Sequence, residues 1–177
     1  IFLDALRRAV PPEGVLVVDN TILGYMAENM YPAFGPGGVM PAKGATPIGF
    51  AFAAAIGARL ARPERPVAAL IGDGGFLYCA QELATCRMVG LAFPVIVVND
   101  NNLRMIEYLQ QTSYEQAYQT ELVNPDFTAL AQAFGAAGVR VESAEELEEA
   151  VTNALQADVM TVVELAARFP TPPFGRY

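Results

Sequence analysis

Two carboxylates hold the chemistry that this sequence offers most openly. Asp73 stands in Gly72-Asp73-Gly74-Gly75, directly after the apolar run Val67-Ala68-Ala69-Leu70-Ile71. Asp100 stands in Asn99-Asp100-Asn101-Asn102, after a second apolar run, Val95-Ile96-Val97-Val98. Between them Leu77 to Val89 has the spacing of a helix. Parallel strands joined by a helix bring their carboxyl ends side by side. Both carboxylates are therefore expected at one mouth of a sheet, where open α/β folds take their ligands. Like charges converging there repel unless a cation lies between them, and a hard divalent ion carrying a phosphate meets that condition. Gly72 and Gly74 permit unusual dihedrals and a close phosphate approach, and a helix opening near Gly75 turns free N–H groups toward an anion. Asp73, Asp100 and the carbonyl of Asn102 offer three oxygens; a diphosphate and a water complete the octahedron that Mg²⁺ requires.

The elements that must position these groups alternate along the chain. A helix is expected over Ile1 to Val10, broken by Pro11-Pro12-Glu13-Gly14, then a strand at Val15-Leu16-Val17-Val18 ending in Asp19-Asn20-Thr21. Thr21 to Met30 reads as helix and Tyr31 to Pro47 as a long Gly/Pro-rich connection, of the kind that is more often functional than idle. Ile48 to Ala61 reads as a small-residue helix suited to tight packing. Beyond the second carboxylate, Tyr114 and Tyr118 are spaced like one helical face. Pro125-Asp126 opens a helix through Phe134, stopped by Gly135. A strand around Val139 and Val141, a helix opened by the capping box Ser143-Ala144-Glu145-Glu146, and a strand from Met160 to Leu165 complete the pattern. Phe169-Pro170-Thr171-Pro172-Pro173 reads as an extended tail. The fold class this predicts is α/β: one domain over residues 1–177, three layers (α/β/α) on a mainly parallel sheet.

Composition narrows the function. The 177 residues carry a net charge of −8 with a pI near 4.5 and no basic stripe, which argues against a nucleic-acid surface. No apolar run approaches membrane-spanning length, and the opening Ile-Phe-Leu-Asp-Ala-Leu-Arg-Arg is amphipathic rather than a signal core, so a cytoplasmic location is expected. At 53% hydrophobic residues and a mean hydropathy of +0.29, either both sheet faces are covered or apolar surface is kept for a partner. Cys79 and Cys86 read as buried reduced thiols. There is no histidine, so acid–base chemistry near neutral pH must come from elsewhere. The chain opens on Ile1 rather than Met, as expected of a piece of a longer polypeptide.

The stretch "IGDGGFLYCAQELATCRMVGLAFPVIVVNDNN" resembles the thiamine diphosphate (ThDP) signature, a Gly-Asp-Gly followed by an Asn-Asn pair. "PIGFAFAAAIGARLARPERPVAALIGDG" is similar to the C-terminal, pyrophosphate-binding domain of the acetolactate synthase, benzoylformate decarboxylase and pyruvate decarboxylase group. "NPDFTALAQAFGAAGVRVES" looks like that group's next helix and strand. The resemblance implies that Asp73, Asp100 and the Asn102 carbonyl hold Mg²⁺ and that Gly72, Gly74 and Gly75 form the phosphate turn. It implies that Ile48 forces the bent cofactor conformation used in catalysis, while the backbone at Thr46 receives the cofactor's amino group. Leu103, Met105 and Ile106 follow the metal loop much as in acetolactate synthases, and Thr21 is a phosphate candidate.

Departures from the pattern matter as well. Asp100 replaces the second Asn of the signature, which adds negative charge to the metal site. Gly75 replaces a frequent Ser or Thr. The pyruvate decarboxylase group carries a catalytic Glu where Ile106 stands, with Glu107 one residue away, which argues against simple pyruvate decarboxylation. The implied activity is decarboxylation of a 2-keto acid, with or without ligation of the product to a second carbonyl compound, as in a lyase or transferase. The family's glutamate that activates the pyrimidine belongs to a separate pyrimidine-binding domain and has no match here. That domain is expected upstream or on another chain, in a homodimer or tetramer, and this chain alone is expected to bind ThDP weakly and to be inactive. A separate subunit of a two-chain keto-acid decarboxylase, a non-catalytic module of this fold, and an unrelated α/β domain for another Mg²⁺–phosphate ligand such as a nucleotide stand as alternatives.

Overall fold

A computed structural model of the chain describes residues 1–169. Six strands form one sheet: β1 (Val15–Val18), β2 (Val39–Pro41), β3 (Val67–Gly72), β4 (Pro94–Asn99), β5 (Ala137–Val141) and β6 (Thr161–Ala166). Their order is β2-β1-β3-β4-β6-β5 and every pairing is parallel, so the mainly parallel sheet is entirely so. The central strands read as continuous apolar runs because both of their faces are covered. Leu70 of β3 and Ile96 of β4 point into a core built with α1 (Phe2–Ala9), α2 (Ile22–Met30) and α8 (Ala144–Gln156). Ala69, Ile71, Val95 and Val97 point into the opposite core. That core is built with α3 (Phe50–Ala61), α4 (Asp73–Leu77), α5 (Glu82–Val89) and α7 (Phe127–Ala133). A run of ring contacts, Phe93–Phe52–Phe76–Phe127, knits this second core together. The remaining helix, α6 (Arg104–Tyr114), buries none of its residues.

From β1 the chain steps outward to β2 and then returns to lay β3 on the other side of β1. The resulting switch in direction opens a crevice at the carboxyl ends of β1 and β3, the place where doubly wound sheets receive ligands.

Several expectations need correction. The long connection from Tyr31 to Pro47 contains β2, whose three residues are strand only because they pair with β1; its edge position tolerates Pro41. The helix read over Leu77 to Val89 begins instead at Asp73, ahead of Gly75, and is interrupted between Leu77 and Glu82. There the bonds run from Tyr78 N to Gly75 O, Cys79 N to Phe76 O and Glu82 N to Cys79 O, a three-residue step that keeps the same side chains inward. The apolar period is blind to that change. Ile48 and Gly49 precede α3 rather than belonging to it. Tyr114 and Tyr118 share no helix, because α6 ends at Tyr114 with Glu115 left-handed at φ +59.

Other expectations hold. Ser143 and Glu146 form the capping box of α8, and Asp126 caps α7. Cys79 and Cys86 are buried free thiols, and burial pushes them up to about 12 and about 11. Among the described residues no helix is long and apolar enough to cross a membrane. Of the tail, Phe169 is buried and meets Phe2 edge-on at 5.7 Å; Pro170 to Pro173 lie outside the described residues.

The capping box gives a local test of what holds α8. Ser143→Ala removes the acceptor for Glu146 N (3.2 Å). It is expected to cost about 1 kcal/mol, read as a lower urea midpoint with unchanged slope. An unchanged midpoint would mean that packing alone holds the helix.

Candidate functional site

The carboxyl ends of β1, β3 and β4 surround a cavity of about 320 Å³. Each strand end delivers a group because a polar residue comes directly after a buried run. Thr21 comes from the end of β1, Gly72, Asp73, Gly74 and Gly75 from β3 and α4, Asp100, Asn102 and Leu103 from the loop after β4, and Met105 from the first turn of α6. Thr46 and Ile48 enter from the segment before α3. The structure thus brings all the site residues read from the sequence to one cavity. Ile48 keeps 41% of its surface exposed, an apolar side chain left uncovered beside the polar rim.

The glycines act by absence of bulk, not by dihedral. Gly72, Gly74 and Gly75 have no positive φ, contrary to expectation. A Cβ on Gly74 would lie 2.7 Å from Leu103 Cδ2, and one on Gly75 would lie 3.4 Å from Gly49 N. The turn and the segment carrying Ile48 are in contact.

That segment is strained and pinned. Gly49 has φ +85 and Thr46 φ +44, a left-handed conformation that a β-branched residue rarely adopts. Asp19, fully inside at the end of β1, holds the strain in place. Its Oδ1 accepts from Asn20 N (2.8 Å) and Gly49 N (3.2 Å), and its Oδ2 from Ala51 N (2.8 Å). Burial raises the Asp19 carboxyl above its ordinary value against the pull of these backbone bonds. The Thr46 carbonyl accepts from Asn20 Nδ2.

Asp73 Oδ1 accepts from Gly74 N at 2.8 Å and its Oδ2 from Asn124 Nδ2 at 2.8 Å. Burial raises its carboxyl, and the nearby charge of Asp100 raises it further. Asn124 Nδ2 also donates to Asn99 Oδ1 (2.9 Å), Asn99 Nδ2 to Glu164 Oε1 (2.8 Å), and Arg140 Nη1 to the same oxygen (2.7 Å). Asp100 Oδ2 accepts from Arg104 Nε at 2.8 Å. The Asn102 carbonyl accepts from Arg104 N at 2.8 Å, whereas Asn102 Oδ1 is buried without a hydrogen-bond partner. Among the described residues no three Asp, Glu, Cys or His side chains form a metal cage, so a cation here would need oxygens from elsewhere.

The family model described as "Thiamine pyrophosphate enzyme, C-terminal TPP binding domain" matches residues 19–165. The chain belongs to this family. An acetolactate synthase of Mycobacterium leprae (strain TN) is 35% identical to this TPP-binding domain over 158 residues, 86% of this chain and 25% of the relative. The catabolic acetolactate synthase of Raoultella terrigena is 35% identical over 170 residues, 96% of this chain and 30% of the relative. The thiamine diphosphate-dependent 4-hydroxybenzoylformate decarboxylase of Rhodococcus jostii RHA1 superimposes with a TM-score of 0.87 at 25% identity, over 96% of this chain and 32% of that one. The chain spans between a quarter and a third of the length of these relatives.

In this TPP-binding domain three groups escaped the sequence reading: Asp19 as the anchor of α3, Asn124 as the partner of Asp73, and Arg104 as the partner of Asp100. Arg104 alone carried a local signal, its four-residue spacing from Asp100 at a helix start.

The raised carboxyl of Asp73 gives a pH test. The folded chain holds that proton more tightly than the unfolded chain does. The resulting stability is present below the unfolded value of 3.8 and lost as pH rises through the raised folded value. The stability of Asp73→Asn relative to the unsubstituted chain is expected to increase from pH 4 to pH 7, measured by urea unfolding. A difference that stays flat with pH would contradict the raised carboxyl.

Proposed function

We propose that this domain anchors the diphosphate of ThDP through Mg²⁺ in an enzyme acting on 2-keto acids, as an acetolactate synthase-like lyase or transferase. The observation that carries the reading is the convergence of Asp73 and Asp100 on one cavity beside a turn with no room for a side chain at Gly74. The donor set fits the metal: two carboxylates and the Asn102 carbonyl are hard oxygen ligands that leave positions for phosphate oxygens and water. The repulsion that helps raise Asp73 is what a divalent ion would relieve.

When bound, ThDP supplies the nucleophilic carbon and the electron sink that 2-keto-acid decarboxylation needs. The chain's own residues bind and orient. Asp73, Asp100 and the Asn102 carbonyl would hold the metal, while Gly72, Gly74 and Gly75, packed too closely for side chains, and Thr21 line the cavity where the diphosphate would lie. Ile48 offers an apolar prop whose position is set by Asp19 through the α3 N-terminus. Leu103 and Met105 add apolar lining to the same cavity. The pyrimidine-activating group comes from another domain, of the same chain or of a partner in a homodimer or tetramer. The unburied α6, with Ile106 and Leu109 about half exposed, offers apolar surface beside the cavity for that domain.

Titration calorimetry with ThDP plus Mg²⁺, run beside ATP plus Mg²⁺, tests the reading. Heat is expected with ThDP and not with ATP, and Asp73→Ala is expected to abolish it. A preference for ATP would replace the reading with that of a nucleotide site.

A further inference from the structure

Arg104 opens α6 with its guanidinium between two carboxylates. Nε lies 2.8 Å from Asp100 Oδ2, and Nη1 lies 2.5 Å from Glu107 Oε2. The side chains of Arg104, Asp100 and Glu107 keep only 12%, 7% and 21% of their surface exposed, so solvent screens these pairs less than it would at a rim. A cation in the first turn of a helix is opposed by the helix dipole. The two carboxylates therefore hold Arg104 there against the preference of α6 itself. Arg104 also lines the cavity that Asp73 and Asp100 share.

The guanidinium on Asp100 Oδ2 already offsets the charge of that carboxylate, so a metal ion arriving at Asp100 competes with Arg104 for it. Glu107 already touches the same guanidinium and would remain as its partner. We infer that Arg104 is a built-in occupant of the metal site, neutralising Asp100 in the metal-free chain and yielding it to a divalent cation by retiring onto Glu107. Metal capture is then an exchange of cations, and Glu107 tunes it without touching the metal. This rests on the metal reading of Asp73 and Asp100. It adds a reason why a second carboxylate, standing where the resembling family carries Asn, is tolerated here.

Electron paramagnetic resonance of free Mn²⁺, titrated into the full chain without ThDP, tests the exchange. Arg104→Met is expected to tighten Mn²⁺ binding by at least about fivefold, the scale of a unit charge removed from a partly screened site. Glu107→Gln is expected to weaken binding, because Arg104 loses its second partner, and to have no effect in the Arg104→Met background. Arg104→Gln serves where the Met variant does not fold, with the same expected tightening. No tightening in either Arg104 variant, including no measurable binding at all, overturns the inference. Weakening by Glu107→Gln that persists without Arg104 overturns it too, since that is plain through-space attraction. Repeating the titration with ThDP separates the two readings. Tightening that ThDP never enhances sinks the cofactor reading alone, whereas ThDP-enhanced binding untouched by Arg104 sinks the exchange alone.

Discussion

Two negative charges at the tips of neighbouring strands are the constraint around which this domain is arranged. The parallel register sets Gly72 of β3 opposite Val98 of β4, so the two strands release their chains at nearly the same level. Asp73 and Asp100 cannot separate without breaking the register, because both strands are buried on both faces. Their repulsion is met locally: Gly74 N–H and the Asn124 amide on Asp73, the Arg104 guanidinium on Asp100. A rigid sheet thus enforces a juxtaposition that side chains left to themselves would avoid.

The second demand falls on the segment before α3. Left-handed backbone at both Thr46 and Gly49 lifts Ile48 into the cavity, and such strain persists only where surrounding structure over-determines it. Asp19 supplies that surrounding structure from β1. A buried carboxylate at the end of one element acts as the N-terminal acceptor for another, linking the strand that bounds the switch point to the helix beside it. The polar ends of β1, β3 and β4 therefore divide the labour, with β1 setting shape and the other two setting charge.

Legibility in the sequence tracks the range of the forces involved. β1, β3 and β4 are readable because burial on both faces leaves an unbroken apolar run, β6 because apolar residues flank Glu164 on both sides, and the α8 cap because Ser143 and Glu146 satisfy each other within one turn. β2 was not, since Val39-Met40-Pro41 becomes strand only by pairing with β1. The break after α4 was hidden because Phe76, Cys79, Ala80 and Leu83 stay inward through a tightened turn as they would through a helix. At the site, Asp73 and Asp100 were readable from their strand ends and from the family resemblance. Asp19 and Asn124 were not, because their partners lie some thirty and fifty residues away along the chain.

The chain of amides running from Asp73 through Asn124 and Asn99 to Glu164 ends on Arg140 of the edge strand β5. Glu164 is nearly fully buried, so its charge depends on that one outlying guanidinium as well as on Asn99. A lesion at the far margin of the sheet would leave a stranded anion in the interior, and the disturbance would travel inward along hydrogen bonds rather than through packed hydrocarbon. The periphery of this fold is wired to its centre.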